Sequence, residues 1–130
     1  MKDHKDLDVW NQSMVLAEQV YTLTKEFPSD EKYGLISQMK RAVVSIPSNI
    51  AEGAARKGNK EYIQFLYIAM GSLSELETQI LLSQRLQFVN SVDNYLVQIK
   101  KYERNYTRRR IRYPIASLDF GHEQANDACL

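Results

Sequence analysis

Asn59-Lys60-Glu61-Tyr62-Ile63-Gln64-Phe65-Leu66-Tyr67-Ile68-Ala69-Met70-Gly71-Ser72-Leu73-Ser74-Glu75-Leu76-Glu77-Thr78-Gln79-Ile80-Leu81-Leu82-Ser83 is the stretch that decides the fold. Tyr62, Phe65, Ala69, Leu73, Leu76, Ile80 and Ser83 recur in steps of three and four, which keeps them on one face of a helix. The steps come close to a seven-residue repeat, by which bundle helices pack at roughly 20° to one another. Asn59 stands where a cap is wanted, since its side-chain oxygen can accept a first-turn N–H.

The same periodicity extends upstream. Leu35, Met39, Ala42, Val43, Ile46 and Ile50 predict a second helix, beginning near Asp30 and fading at Arg56-Lys57-Gly58, a basic last turn followed by glycine. Pro47 lies inside it, has no N–H for the carbonyl of Val43, and predicts a bend costing about 3 kcal/mol unless neighbours compensate. Trp10, Met14, Ala17, Tyr21 and Thr24 predict the inner face of a first helix. That helix should end near Phe27-Pro28, with Ser29 or Asp30 capping the next. Downstream, a fourth helix should start at Ser91 or Asp93 and turn Val92, Leu96, Ile99 and Tyr102 inward. The connections are short, so neighbouring helices run antiparallel: an all-α, up-and-down four-helix bundle over residues 1–113. Residues 114–130 lose the pattern and read as an irregular tail.

Bulk properties fit one such domain. The chain has 130 residues, 44% hydrophobic and 25% charged, too apolar for disorder and without a run long enough to span a membrane. Met1 to Asp6 lacks an apolar stretch of the secretory kind, so a cytoplasmic location is expected. The net charge of +1 does not draw the whole molecule to nucleic acid, and any such attraction must be local. Strand alternation and glycine-rich phosphate loops are both missing from the sequence.

Nothing in the pattern assembles a catalytic constellation. A di-metal bundle needs carboxylates and histidines projecting inward, but His4 precedes the first helix and His122 lies in the tail. Cys129 has no partner for a disulfide. Ser45, Ser48, Ser72 and Ser74 have no histidine within the pattern to activate them. The sequence therefore predicts no enzyme, no cofactor, no metal and no small-molecule substrate.

Two features remain for function. Lys40, Arg41, Arg56, Lys57 and Lys60 lie near the ends of the second helix and the start of the third, where they suit contact with phosphates as well as solvation. A second basic run, Lys100 to Arg112, is interleaved with aromatics, Tyr102, Tyr106 and Tyr113, as stacking on single strands needs, or as simple packing would give. The segment Ser45-Ile46-Pro47-Ser48-Asn49-Ile50-Ala51-Glu52-Gly53 sets small and polar residues beside a proline. It reads as close helix packing, with Gly71-Ser72 as a matching low-profile patch, and places Asn49 and Glu52 on a shared face, where a polar contact between helices or subunits is preferred over a ligand site.

At this segment the sequence resembles the four-helix-bundle proteins encoded by 23S rRNA intervening sequences. The resemblance covers Leu7-Asp8-Val9-Trp10, Phe27-Pro28, Tyr33-Gly34-Leu35, Gln38-Met39-Lys40-Arg41-Ala42, the Ser45–Gly53 core, and Gly71-Ser72 with Glu75-Leu76-Glu77-Thr78. It implies a non-catalytic bundle that forms ring-like homo-oligomers, pentamers, with RNA contact. It assigns Ser45, Pro47, Asn49, Glu52, Gly53, Gly71 and Glu75 to a family signature that packs helices. Exposed aromatics such as Tyr33, Tyr62 or Tyr67 would then serve subunit contacts. A related bundle, the accessory protein of diversity-generating retroelements, gives the alternative of a nucleic-acid-binding accessory factor, an analogy of fold.

The resemblance also implies an apolar continuation of the fourth helix, similar to Met-Lys-Gly-Ile-Ile, which this sequence replaces with Tyr102-Glu103-Arg104-Asn105-Tyr106. Codons exist for Lys101 to Arg108 that spell Asn-Met-Lys-Gly-Ile-Ile-Gln one base later. A frameshift near Lys101 would account for the arginine cluster and for Cys129, and natural codons that exclude the second frame would refute it.

Overall fold

Each apolar run of the sequence becomes a helix. The computed structural model describes residues 3–118, with side chains through Tyr106. It contains α1 (Asp8–Thr24), α2 (Leu35–Ala54), α3 (Asn59–Arg85) and α4 (Asp93–Leu118), with 3-10 turns at His4–Asp6 and Ser29–Glu31 and no strand among the described residues. Sequential helices pack on one another, α2 on α3 most extensively, and α1 and α4 touch least. Residue numbers rising along α2 meet numbers falling along α3, Ser45 opposite Ser72 and Gly53 opposite Phe65, so the pair is antiparallel. No described helix is long and apolar enough to cross a membrane.

The stripe on α2 is buried as the spacing predicts, from Leu35 and Met39 through Val43 and Ile46 to Ile50. On α3, Tyr62, Ala69, Leu73, Leu76, Ile80 and Ser83 are buried, while Phe65 is half-buried and Leu66 takes the inner position beside it. Each fully buried aliphatic side chain contributes about 1.5–3 kcal/mol relative to exposure. Helix α2 remains helical through Pro47 to Ala54, with the proline ring itself buried.

Helix α1 departs from the expected face by one residue. Val9, Leu16, Val20 and Leu23 are buried with Thr24, whereas Trp10 and Ala17 are half-buried and Met14 and Tyr21 are 40% and 41% exposed. The helix carries two adjacent apolar stripes. The aliphatic one fills the interior, and the one with indole and phenol lies at the rim, where their polar ends reach water.

Helix boundaries also shift. Helix α2 begins at Leu35 rather than near Asp30, because Ser29–Glu31 forms a 3-10 turn and the Glu31 carboxylate accepts the Leu35 N–H at 3.0 Å. Gly58, not Asn59, occupies the cap position of α3, and Asn59 is its first residue. Helix α3 ends in a Schellman motif: Phe88 N–H donates to Ser83 O at 2.9 Å and Gln87 N–H to Gln84 O at 3.0 Å, with Gln87 at φ 64°. Phe27 and Phe88 close that end of the bundle, ring centroids 5.4 Å apart.

Helix α4 buries Ile99, Tyr102 and Tyr106, one turn more than expected, with Val92 buried just before its first residue and Leu96 half-buried. Its backbone runs past Pro114 to Leu118, taking in the first residues of the stretch expected to be an irregular tail. Arginine is a good helix former, and Arg108, Arg109 and Arg110 precede that proline. Residues 119–130, with His122 and Cys129, lie outside the described residues, as do the side chains of the Arg108–Arg112 cluster.

Candidate functional site

The signature segment divides into an inner contact and an outer surface. Ser45, Asn49 and Gly53 are four residues apart, so α2 carries them as one strip facing α3. Asn49 Nδ2 donates to Ser45 O at 2.8 Å and to Ser45 Oγ at 2.9 Å, and the Ser45 and Ser72 hydroxyls meet at 2.8 Å across the two helices. One turn further, a Cβ on Gly53 would lie 2.6 Å from Phe65 Cβ and 3.3 Å from Tyr62 Cδ1. The missing side chain at Gly53 thus sets how closely α3 can approach. Pro47 is buried on the core side of the same helix.

The other signature residues lie apart from this strip. Glu52 turns to Arg56 in a 2.9 Å ion pair. Glu75 is exposed and accepts from Gln79 Nε2 at 3.4 Å. Gly71 faces open space: a Cβ there meets nothing within 4 Å, so only Ser72 of the Gly71-Ser72 pair packs against α2.

The five basic residues form two separate groups. Lys40 is half-buried, its ammonium 4.7 Å from the centroid of the Tyr21 ring on α1, and Arg41 beside it is exposed. Arg56, sixteen residues on, is roughly 24 Å away along the α2 axis. Its guanidinium is shared between Glu52 and Glu61, the latter at 3.8 Å, and lies 5.0 Å from the Phe65 ring centroid. Lys57 and Lys60 stand exposed in and just after the α2–α3 connection. A single chain therefore presents two modest basic spots, one of them partly neutralised.

The α1–α4 seam was not singled out by the sequence reading. Asn105 Nδ2 donates to Gln12 Oε1 at 3.1 Å. Seven residues later on α1 and seven earlier on α4, Gln19 and Gln98 line a groove of ≈ 420 Å³ together with Asn94, Tyr95 and Val97. The Oε1 atoms of Gln19 and Gln98 are buried without a hydrogen-bond partner. Burial and then the charge of Glu26 raise the Tyr95 phenol above its ordinary pKa. The signal was the seven-residue spacing of amides, Gln12 to Gln19 and Gln98 to Asn105, which an apolar search passes over. Among the described residues no group of three or more histidine, cysteine or acidic side chains is placed to hold a metal.

No curated protein matches the sequence. The model of one family, described as 23S rRNA-intervening sequence protein, matches residues 5–107, from the turn before α1 to the last buried turn of α4. That span takes in α1, α2, α3 and the first part of α4, the Ser45–Asn49–Ser72 contact and both basic groups, and the chain belongs to the 23S rRNA-intervening sequence protein family.

Proposed function

We propose that this protein is a non-catalytic scaffold of the cytoplasm that assembles with copies of itself and presents basic side chains to RNA. The observation that carries the reading is the set of apolar side chains left exposed outside the core. Ile68 and Leu82 on α3 are 50% and 44% exposed, and Leu86, which caps its C-terminal end, is 49% exposed. They are fourteen and four residues apart and share one helix face. Val44 on α2 and Tyr67 on α3 are similarly exposed, and Tyr33 is 88% exposed. Apolar faces of this kind mark contact with another chain. Tyr62, expected to serve subunit contacts, is buried at 2% and plays no part.

Assembly would also answer the weakness of the basic groups. A net charge of +1 gives one chain little hold on a phosphate backbone. Copies arranged in a ring, the pentamer that the family resemblance implies, repeat Lys57 and Lys60 around one end of the bundle and Arg41 around the other, and multiply that hold.

Light scattering on purified protein, with RNA binding followed across a salt series, tests both parts. The expected result is a mass several times 15.1 kDa and binding that weakens steeply with salt. Binding should be lost when Lys40, Arg41, Arg56 and Lys57 become alanine. A monomer that ignores RNA at low salt would overturn the proposal. A monomer that binds RNA would favour the accessory-factor reading instead.

A further inference from the structure

We propose that the groove between α1 and α4 takes an unpaired nucleobase carrying an exocyclic amino group, held by the amides of Gln19, Asn94 and Gln98. The proposal rests on the RNA reading above and locates base recognition away from the basic residues. Three observations support it. The groove, at ≈ 420 Å³, falls within the roughly 300–1,000 Å³ of small-molecule sites. Gln19 and Gln98 line it, and their Oε1 atoms are buried behind its surface with no hydrogen-bond partner in the fold. Such atoms are costly to leave unpaired, and a short turn of either amide into the groove lets a ligand's N–H donors relieve them. Finally, Tyr95 and the 69% exposed Val97 border the groove and offer apolar surface against which a planar ring can lie.

The chemistry discriminates among ligands. Asparagine and glutamine amides present a donor beside an acceptor, the pairing that matches base edges. No lysine or arginine lines the groove, and Glu26 is near enough to act on Tyr95, so the site does not suit a phosphate. Two waiting acceptors favour the amino groups of adenine and cytosine over uracil, whose edge is mostly carbonyl. Single-stranded RNA is recognised in this manner, through splayed bases on hydrogen-bonding and aromatic side chains.

Uncharged nucleosides separate base recognition from phosphate attraction. Calorimetric titration of the full chain with adenosine, cytidine and uridine should give saturable binding of the first two, at least fivefold tighter than uridine. Gln98→Leu should weaken it tenfold or more. Asn94→Ala, at an exposed rim position that leaves the fold intact, should weaken it severalfold. Absence of binding by all three nucleosides at millimolar concentration overturns the groove proposal, as does binding that neither variant alters. If RNA still binds through Lys57 and Lys60 in that case, the wider RNA reading survives alone. Nucleoside binding without RNA binding would have the opposite meaning.

Discussion

Single residues in this bundle have effects whose sign depends on what surrounds them. Gly53 and Gly71 both lie inside helices, yet a Cβ at Gly53 would press on Phe65 at 2.6 Å while one at Gly71 would meet open space. Gly53→Ala should therefore destabilise the fold by about 1–3 kcal/mol through overpacking. Gly71→Ala should stabilise it by about 0.5–1 kcal/mol through helix propensity. Denaturant melts of the two variants check the opposite signs. Gln87 holds a left-handed backbone at φ 64° in the α3 cap, and Gln87→Gly should raise stability by roughly 1 kcal/mol in the same assay. Tyr106 is wholly buried with its hydroxyl unpartnered, and burial, then the neighbouring Tyr102, push its pKa up. A raised folded pKa stabilises fully below the unfolded value of about 10, and that stability is lost as pH climbs towards the folded one. Tyr106→Phe should flatten this alkaline loss, as melts between neutral pH and the alkaline limb would show. The sequence made Gly53 legible as a close approach, because small residues recur every four positions there. It could not reveal Gln87, since no local pattern marks a glutamine at positive φ.

At the scale of the helices, what was legible depended on how many apolar stripes each one carries. Helices α2 and α3 each have one dominant stripe, and the spacing identified six of the eight buried residues on each. Helix α1 has two, and only tertiary packing chose Val9, Leu16 and Val20 over Trp10, Met14 and Tyr21. Contacts distant in sequence were not readable at all: Ser45 was marked as unusual, but its meeting with Ser72 depends on the register of two helices. The polar α1–α4 seam escaped for the same reason. That seam gives α4 less support than its neighbours, so its amides should exchange hydrogen faster than those of α2 and α3. Exchange mass spectrometry over Asp93 to Tyr106 tests this, and equal protection on all four helices would count against it. The buried pair Tyr102 and Tyr106 also bears on the coding question. In the shifted frame these positions become methionine and isoleucine, so both frames keep the same apolar register and only the gene's codons separate them.

For the molecule as a whole, the outward apolar residues decide whether it works alone. If Ile68, Leu82 and Leu86 meet another copy, Ile68→Lys with Leu82→Lys should reduce the mass seen by light scattering to 15.1 kDa. Circular dichroism should remain helical, because neither side chain contributes to the core. An unchanged mass would remove α3 from the subunit contact. The broad contact of α2 with α3, compared with the thin one between α1 and α4, has a further consequence during synthesis on the ribosome. Helix α3 packs mainly on α2, and α2 also on α1, so the three can close on one another while α4 is still being translated. The nascent chain then exposes, for as long as α4 is delayed, the inner face on which Ile99 and Tyr106 will later settle. A slow codon or a pause before Asp93 would prolong that exposure, and the same chain would be most open to capture by a chaperone at that moment.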